Sequence, residues 1–292
     1  MKNIESLSDL AGKKLIIYGA GSTGREVYSI LRGIDGITIT AFCDTHKSGV
    51  DARTGLEILS PADCAAYNED HMVVIGVFDV LKPDDCAEIH DQLTRMGFPW
   101  ERVLGYAQII RQLCKDLPAE SFYWQHADES YDWNTNIVLV QHISRNVGEN
   151  DKSLADLGAG GMTLRNYLRD GVVYYPVDYK ARTHETIVCD FNKKEFPNVD
   201  ADVYVLCAML YYMDDPKWLL AQCARFAKNK IIVALLRSNM SISPEFMRAH
   251  GHKNAMYFDE ISLLLGEYGF TPSNDTTIAE VARRYIVYSK DE

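Results

Sequence analysis

Ser153-Leu154-Ala155-Asp156-Leu157-Gly158-Ala159-Gly160-Gly161 is the stretch whose reading decides the fold. The first five residues read as a short buried strand, and the glycine cluster behind them marks a tight turn. Met162 to Arg169 is expected as a helix and Val172 to Val177 as the next strand, ending at Asp178. The same layout stands near the N-terminus. There Lys14-Leu15-Ile16-Ile17-Tyr18 is the strand, Gly19-Ala20-Gly21-Ser22-Thr23-Gly24 the turn, Arg25 to Arg32 the helix, and Ile37 to Phe42 the next strand, ending at Asp44.

Strand, glycine turn, helix, strand, acid is the layout of a nucleotide-binding βαβ unit. Glycines let the backbone approach a ligand, a helix N-terminus offers free N–H groups, and an acid about 20 residues on accepts ribose hydroxyls. Asp44 follows Gly24 by 20 positions and Asp178 follows Gly158 by the same count. The other segments fit two open α/β sheets. In the first half Met72 to Val77 is a strand, Asp84 to Met96 a helix and Arg102 to Tyr106 a short strand, after which the alternation stops. In the second, Val203 to Met209, Lys230 to Leu235 and Tyr285 to Ser289 are strands, with helices at Lys217 to Phe226 and Asp259 to Tyr268. The expected fold class is α/β with two Rossmann-like domains: residues 1–115, a linker and entry helix over 116–136, and residues 137–292.

Charge and composition narrow the partners. The 292 residues carry 30 Lys and Arg against 41 Asp and Glu, a net charge of −11, with no run of basic residues, so nucleic acid is not the expected partner. The apolar stretch Val203 to Met213 is far short of the ~20 residues a membrane span needs, so a cytoplasmic protein without a membrane partner is expected. Seven cysteines form no C-x-x-C pair, which points to reduced thiols, and no zinc or other metal site is expected. A homo-oligomer is left open.

From Ser153 onward the chain resembles class I S-adenosylmethionine-dependent methyltransferases. Asp156-Leu157-Gly158-Ala159-Gly160 is similar to the acid-x-Gly-x-Gly turn that approaches the methionine part of the cofactor. The resemblance implies that Asp178 holds the ribose hydroxyls, that Asp190 and Phe191 meet the adenine, and that Cys207 and Met209, at the end of the Ala201 to Leu210 stretch, line the cofactor. Gly269-Phe270, Thr276 to Ala279 and Arg284 to Ser289 resemble a closing hairpin with the antiparallel last strand of that fold. Many relatives carry a third glycine where this chain has Met162.

Methyl transfer to a small molecule needs an aligned acceptor, and a weak oxygen nucleophile also needs a base. His252 is the candidate base, because imidazole titrates near neutrality, and Tyr211 and Asp214 are candidates to face the acceptor. Plainer readings stand beside these. His250 and His252 also read as exposed loop histidines, Tyr211 and Tyr212 as packing, and Asp214-Asp215-Pro216 as a helix start. His184 and Glu185 either touch the cofactor or are solvated.

Ile16 to Glu26, Ala41 to Asp44 and Gly55 to Pro61 resemble the small Rossmann-like domains attached to bacterial surface-sugar enzymes. That resemblance implies a second nucleotide or nucleotide-sugar site at Gly19, Gly21, Gly24 and Asp44, or a purely structural domain. Asp44 favours NAD over NADP if a dinucleotide binds. The expected function is S-adenosylmethionine-dependent methyl transfer to a small molecule, such as a sugar. The rivals are a non-catalytic nucleotide or S-adenosyl-ligand binding protein, in which Met162 marks lost transfer, and an NAD-dependent oxidoreductase.

Overall fold

Alternating short apolar runs and glycine turns build two separate sheets in the computed structural model, which describes residues 4–77, 83–116, 136–236, 251–281 and 283–290. Two compact units contain them, residues 4–116 in one and residues 136–236 with 252–290 in the other. The expected linker over 116–136 lies almost wholly outside the described residues.

The first unit has strands β1 (Lys14–Tyr18), β2 (Thr38–Cys43), β3 (Gly49–Val50), β4 (Glu57–Leu59), β5 (His71–Ile75) and β6 (Val103–Gly105), in the order β3-β4-β2-β1-β5-β6. All neighbours are parallel except β3 and β4. Helices α1 (Ser22–Leu31), α2 (Pro61–Cys64), α3 (Pro83–Arg95) and α4 (Tyr106–Asp116) connect or follow them. The central strands β1 and β5 are buried along nearly their whole length, which is what a parallel sheet covered on both faces requires. One expectation is corrected here. The alternation does not stop after β6, because Tyr106 opens α4, whose Ile109 and Ile110 enter the core while the Tyr106 hydroxyl donates to Glu26 Oε1 at 2.9 Å.

The three glycines of the first turn do three different jobs. Gly19 has φ +110°, a left-handed conformation that suits glycine. At Gly24 a Cβ would sit 1.8 Å from the Gly19 carbonyl oxygen, so α1 packs backbone to backbone against the turn. At Gly21 a Cβ would meet nothing within 4 Å. Among the described residues nothing packs against position 21, and that space lies at the start of α1, where such folds bind ligands.

The second unit contains α5 (Ile137–Ser144), β7 (Ser153–Leu157), β8 (Val173–Asp178), β9 (Ile187–Val188), β10 (Val203–Cys207), α6 (Pro216–Phe226), β11 (Lys230–Leu236), α7 (Phe258–Gly266), β12 (Phe270–Ile278) and β13 (Arg283–Lys290). Its order is β12-β13-β11-β10-β7-β8-β9, parallel throughout except for β13, which runs antiparallel between β11 and β12. This is the class I methyltransferase fold, with its antiparallel last strand. The connections leave β7 toward β8 on one side and toward β10 on the other. The crevice beyond the carboxyl ends of β7 and β10 is thus the switch point where open α/β sheets bind ligands.

Two local expectations fail in this unit. The helix expected over Met162 to Arg169 is a single 3-10 turn, Thr163–Tyr167. Met162 enters it in a left-handed conformation, φ 56° and ψ 29°, and Arg169 leaves it to donate to the carbonyls of Gly148 and Glu149, both at 3.0 Å. The turn ends because Leu168 goes extended, at ψ 145°. The strand expected to reach Met209 ends at Cys207, because Ala208 turns left-handed at φ 55° after one last bond, its N–H to Ala234 O at 2.9 Å.

Replacing Gly24 by Ala should destabilise the first unit by about 3 kcal/mol or more, the upper range for forcing atoms into a packed interior. Replacing Gly21 by Ala should cost less than about 1 kcal/mol, since φ there is −94° and the space is open. Urea unfolding of the two variants would check the contrast.

Candidate functional site

The residues expected to bind the cofactor gather at the carboxyl ends of β7, β8 and β10. Gly158 and Gly160 are both left-handed, at φ 75° and 50°. A Cβ on Gly158 would lie 3.0 Å from Met209 Cβ, so this glycine lets the turn close over Met209, two residues past β10. Met162 takes the conformation a glycine would favour, and its side chain is buried, with the Thr183 hydroxyl 3.9 Å from its sulfur.

Asp178, at the end of β8, is 4% exposed and holds the turn directly. Its Oδ2 accepts from Gly160 N–H at 3.0 Å and its Oδ1 from Lys180 N–H at 3.1 Å, with Arg182 Nε 3.6 Å from Oδ1. A carboxylate offers about four lone-pair directions, so acceptor capacity for ribose hydroxyls remains. The first unit repeats the device, since Asp44 Oδ2 accepts from Ala20 N–H at 2.8 Å and Oδ1 from His46 and Lys47 N–H. Lys47 Nζ also donates to the Ala20 carbonyl at 2.8 Å.

Asp156 behaves differently from the expectation that it faces the cofactor. Its carboxyl is buried and accepts from the Tyr174 hydroxyl at 2.6 Å. Burial pushes it up to about 6, against the opposing pull of that hydroxyl, with the negative charge of Asp178 adding to the rise. Tyr174 escaped notice in the sequence, and the parallel register of the structure explains its contact. Asp156 lies opposite Pro176, which puts Tyr174 one diagonal step away on the same face. Burial next to Asp156 also pushes the Cys207 thiol up to about 12, so it stays protonated at neutral pH.

Asp190 caps the 3-10 turn Phe191–Lys193 by accepting from Asn192 N–H at 3.1 Å, and Phe191 is buried in the core beside it. Glu185 is held by Arg165 in a two-pronged pair, which lowers its carboxyl. His184 is exposed.

The acceptor-side candidates also meet. The His252 ring stacks on Tyr211 with centroids 4.9 Å apart and planes 11° from parallel, and it meets Tyr212 edge-on at 4.9 Å. His252 is partly buried, not an exposed loop residue. Asp215 is the cap of α6, accepting from Trp218 N–H at 3.0 Å. That leaves Asp214 outside the helix start, 2.9 Å from Lys253 Nζ. Sequence reasoning missed Lys253 and Asn254. The Asn254 amide donates to the carbonyls of Leu210 and Met213 at 2.9 and 2.8 Å, pinning the turn that carries both tyrosines. His250 lies outside the described residues.

Among the described residues, no group of three or more His, Cys, Asp or Glu gathers to hold a metal, and no helix is long and apolar enough to cross a membrane.

Asp156 carries a pH signature. Its folded pKa is raised, so between about 4 and 6 the native state holds a proton the unfolded chain has released, and this contribution to stability falls as pH rises. Asp156→Asn should flatten the pH dependence of urea unfolding in that window. Tyr174→Phe should destabilise by about 1–3 kcal/mol at pH 7, the cost of an unsatisfied buried acceptor.

No protein-family model matches this chain. It is 32% identical over 107 residues to the redox-sensing transcriptional repressor Rex of Thermotoga petrophila, covering 32% of this chain and 50% of that protein. It is 30% identical over 118 residues to repressor Rex 1 of Thermotoga maritima, covering 37% and 55%. The chain therefore spans about half the length of the curated relatives it matches. Among solved structures it is similar to the pyocyanin biosynthetic protein PhzM, at 15% identity and a TM-score of 0.46 over 74% of this chain and 72% of that one. It is also similar to magnesium protoporphyrin IX methyltransferase of Synechocystis PCC 6803 with bound S-adenosylhomocysteine, at 11% identity and a TM-score of 0.45 over 63% and 100%.

Proposed function

We propose that the chain is an S-adenosylmethionine-dependent methyltransferase acting on a small-molecule acceptor, with a first unit that holds a nucleotide or a nucleotide-linked sugar. The observation that carries this reading is the convergence beyond the carboxyl ends of one sheet. The left-handed Gly158 and Gly160, Asp178 bonded to their turn, and Asp190 with Phe191 stand in the order the methyltransferase resemblance requires. The Tyr211–His252 stack follows on the neighbouring strand end.

When bound, S-adenosylmethionine supplies a methyl group on a sulfonium, so the chain's work is alignment and proton removal. Asp178 would hold the ribose hydroxyls with its remaining acceptor capacity, and Asp190 and Phe191 the adenine. The Gly158–Gly160 backbone would lie against the methionine part. His252 would take the proton of an acceptor hydroxyl, its ring orientation set by Tyr211 and Tyr212. Asp214, held by Lys253, would face the acceptor. In the first unit the open space at Gly21, together with Asp44, suits a ligand with a free ribose 2′-hydroxyl, such as NAD or a nucleotide-sugar.

A second reading, a ligand-binding protein without transfer, is favoured by the 3-10 turn that replaces a helix after Met162 and by the partial likeness to redox-sensing repressors. Calorimetry and label transfer separate the two. S-adenosylhomocysteine should bind the wild-type chain, and Asp178→Ala should weaken it about 10- to 100-fold, the worth of charged hydrogen bonds. His252→Ala should keep that affinity within about threefold. It should also abolish transfer of labelled methyl to a small-molecule extract. Absence of heat from either S-adenosyl compound with folded protein overturns the proposal, and binding without transfer selects the second reading.

A further inference from the structure

The Asn192 side chain bridges the loop expected to meet the adenine and the turn expected to face the acceptor. Asn192 lies in the 3-10 turn capped by Asp190, to whose Oδ1 its own N–H donates at 3.1 Å. Its side-chain amide reaches the other segment with both ends. Nδ2 donates to Tyr212 O at 3.1 Å, and Oδ1 accepts from Asp214 N–H at 2.8 Å. The amide thus pairs with the backbone of residues 212 and 214 much as a neighbouring strand would. A second strap, Lys194 to Asp215 at 2.6 Å, runs beside it, but both of its partners are about half exposed, where ion pairs contribute little. Asn192 is partly buried and makes directional bonds, so it is the stiffer link.

We propose that Asn192 is a positioning residue. Ordering of the Asp190–Phe191 loop by the adenosyl group is transmitted through its amide to Tyr212 and Asp214, so the acceptor side opens less often when the cofactor is in place. This rests on the S-adenosylmethionine reading above. Asn254 holds the same turn from its other face through Leu210 and Met213, and it keeps the turn folded whether or not the cofactor is bound. The coupling is therefore a change in local opening, not in shape, and backbone hydrogen exchange reads it.

The test is hydrogen exchange by mass spectrometry on the full chain with and without S-adenosylhomocysteine, for wild type, Asn192→Ala and Asn192→Asp. In the wild type the ligand should slow exchange both at residues 157–161 and at residues 210–215, the latter by about tenfold, as a stabilisation of about 1.4 kcal/mol would give. Asn192→Ala should bind within about threefold of wild type and keep the slowing at 157–161 while losing it at 210–215. Asn192→Asp retains the acceptor for Asp214 N–H and loses the donor to Tyr212 O, so it should retain about half of the effect and serves if the alanine variant fails to fold. Equal slowing at 210–215 in the wild type and the variants overturns the role of Asn192. So does slowing at 157–161 alone in the wild type. No slowing anywhere, with no binding, overturns the cofactor reading itself.

Discussion

In each unit a carboxylate at the end of the strand beside the first one closes the glycine turn. Asp44 takes the N–H of Ala20, and Asp178 takes that of Gly160. Glycine turns are conformationally permissive, and an open one would sample many paths. A charged acceptor bonded to the middle of the turn selects one path, and such bonds are about twice as strong as neutral ones. Beside the closed turn of the second unit Gly158 packs on Met209 and Thr183 meets Met162, and α1 starts directly from the closed turn of the first.

The two turns reach the same end differently. In the first, a ten-residue helix follows, with Gly24 pressed against Gly19, so the turn is braced by backbone contact. In the second no helix follows, and bracing comes from side chains: Met162 buried under Thr183, Arg182 beside Asp178, and Arg169 tied back to the Gly148 turn. Left-handed Met162 and Ala208 are residues that hold this conformation at a cost of about 1–2 kcal/mol each. They flank the crevice at the ends of β7 and β10, which is where strain of this kind gathers in proteins that bind ligands.

The sheets were legible in the sequence because buried parallel strands write themselves as unbroken apolar runs closed by glycine. The strand-end acids were legible from spacing alone. What could not be read was anything set by a contact distant in sequence. Arg169 ties back to Gly148 where a helix was expected, and the Tyr174 hydroxyl meets the buried Asp156 carboxyl. The stack of His252 on Tyr211 joins residues 41 positions apart and leaves no periodic trace in the sequence. The acid of the helix start was placed correctly as a class, but only the cap bond to Trp218 tells Asp215 from Asp214.

β13 is an interior strand, paired on one side with β11 and on the other with β12. During synthesis the edge of β11 therefore stays open, with its N–H and C=O groups unpaired, until residues 283–290 have emerged from the ribosome. An open edge of that length is a template for wrong pairing with another chain. The first unit, whose six strands all precede residue 106, can complete its sheet while the second is still incomplete. Translation thus completes one mostly parallel sheet ahead of the other, and the open β11 edge is exposed in the interval between them.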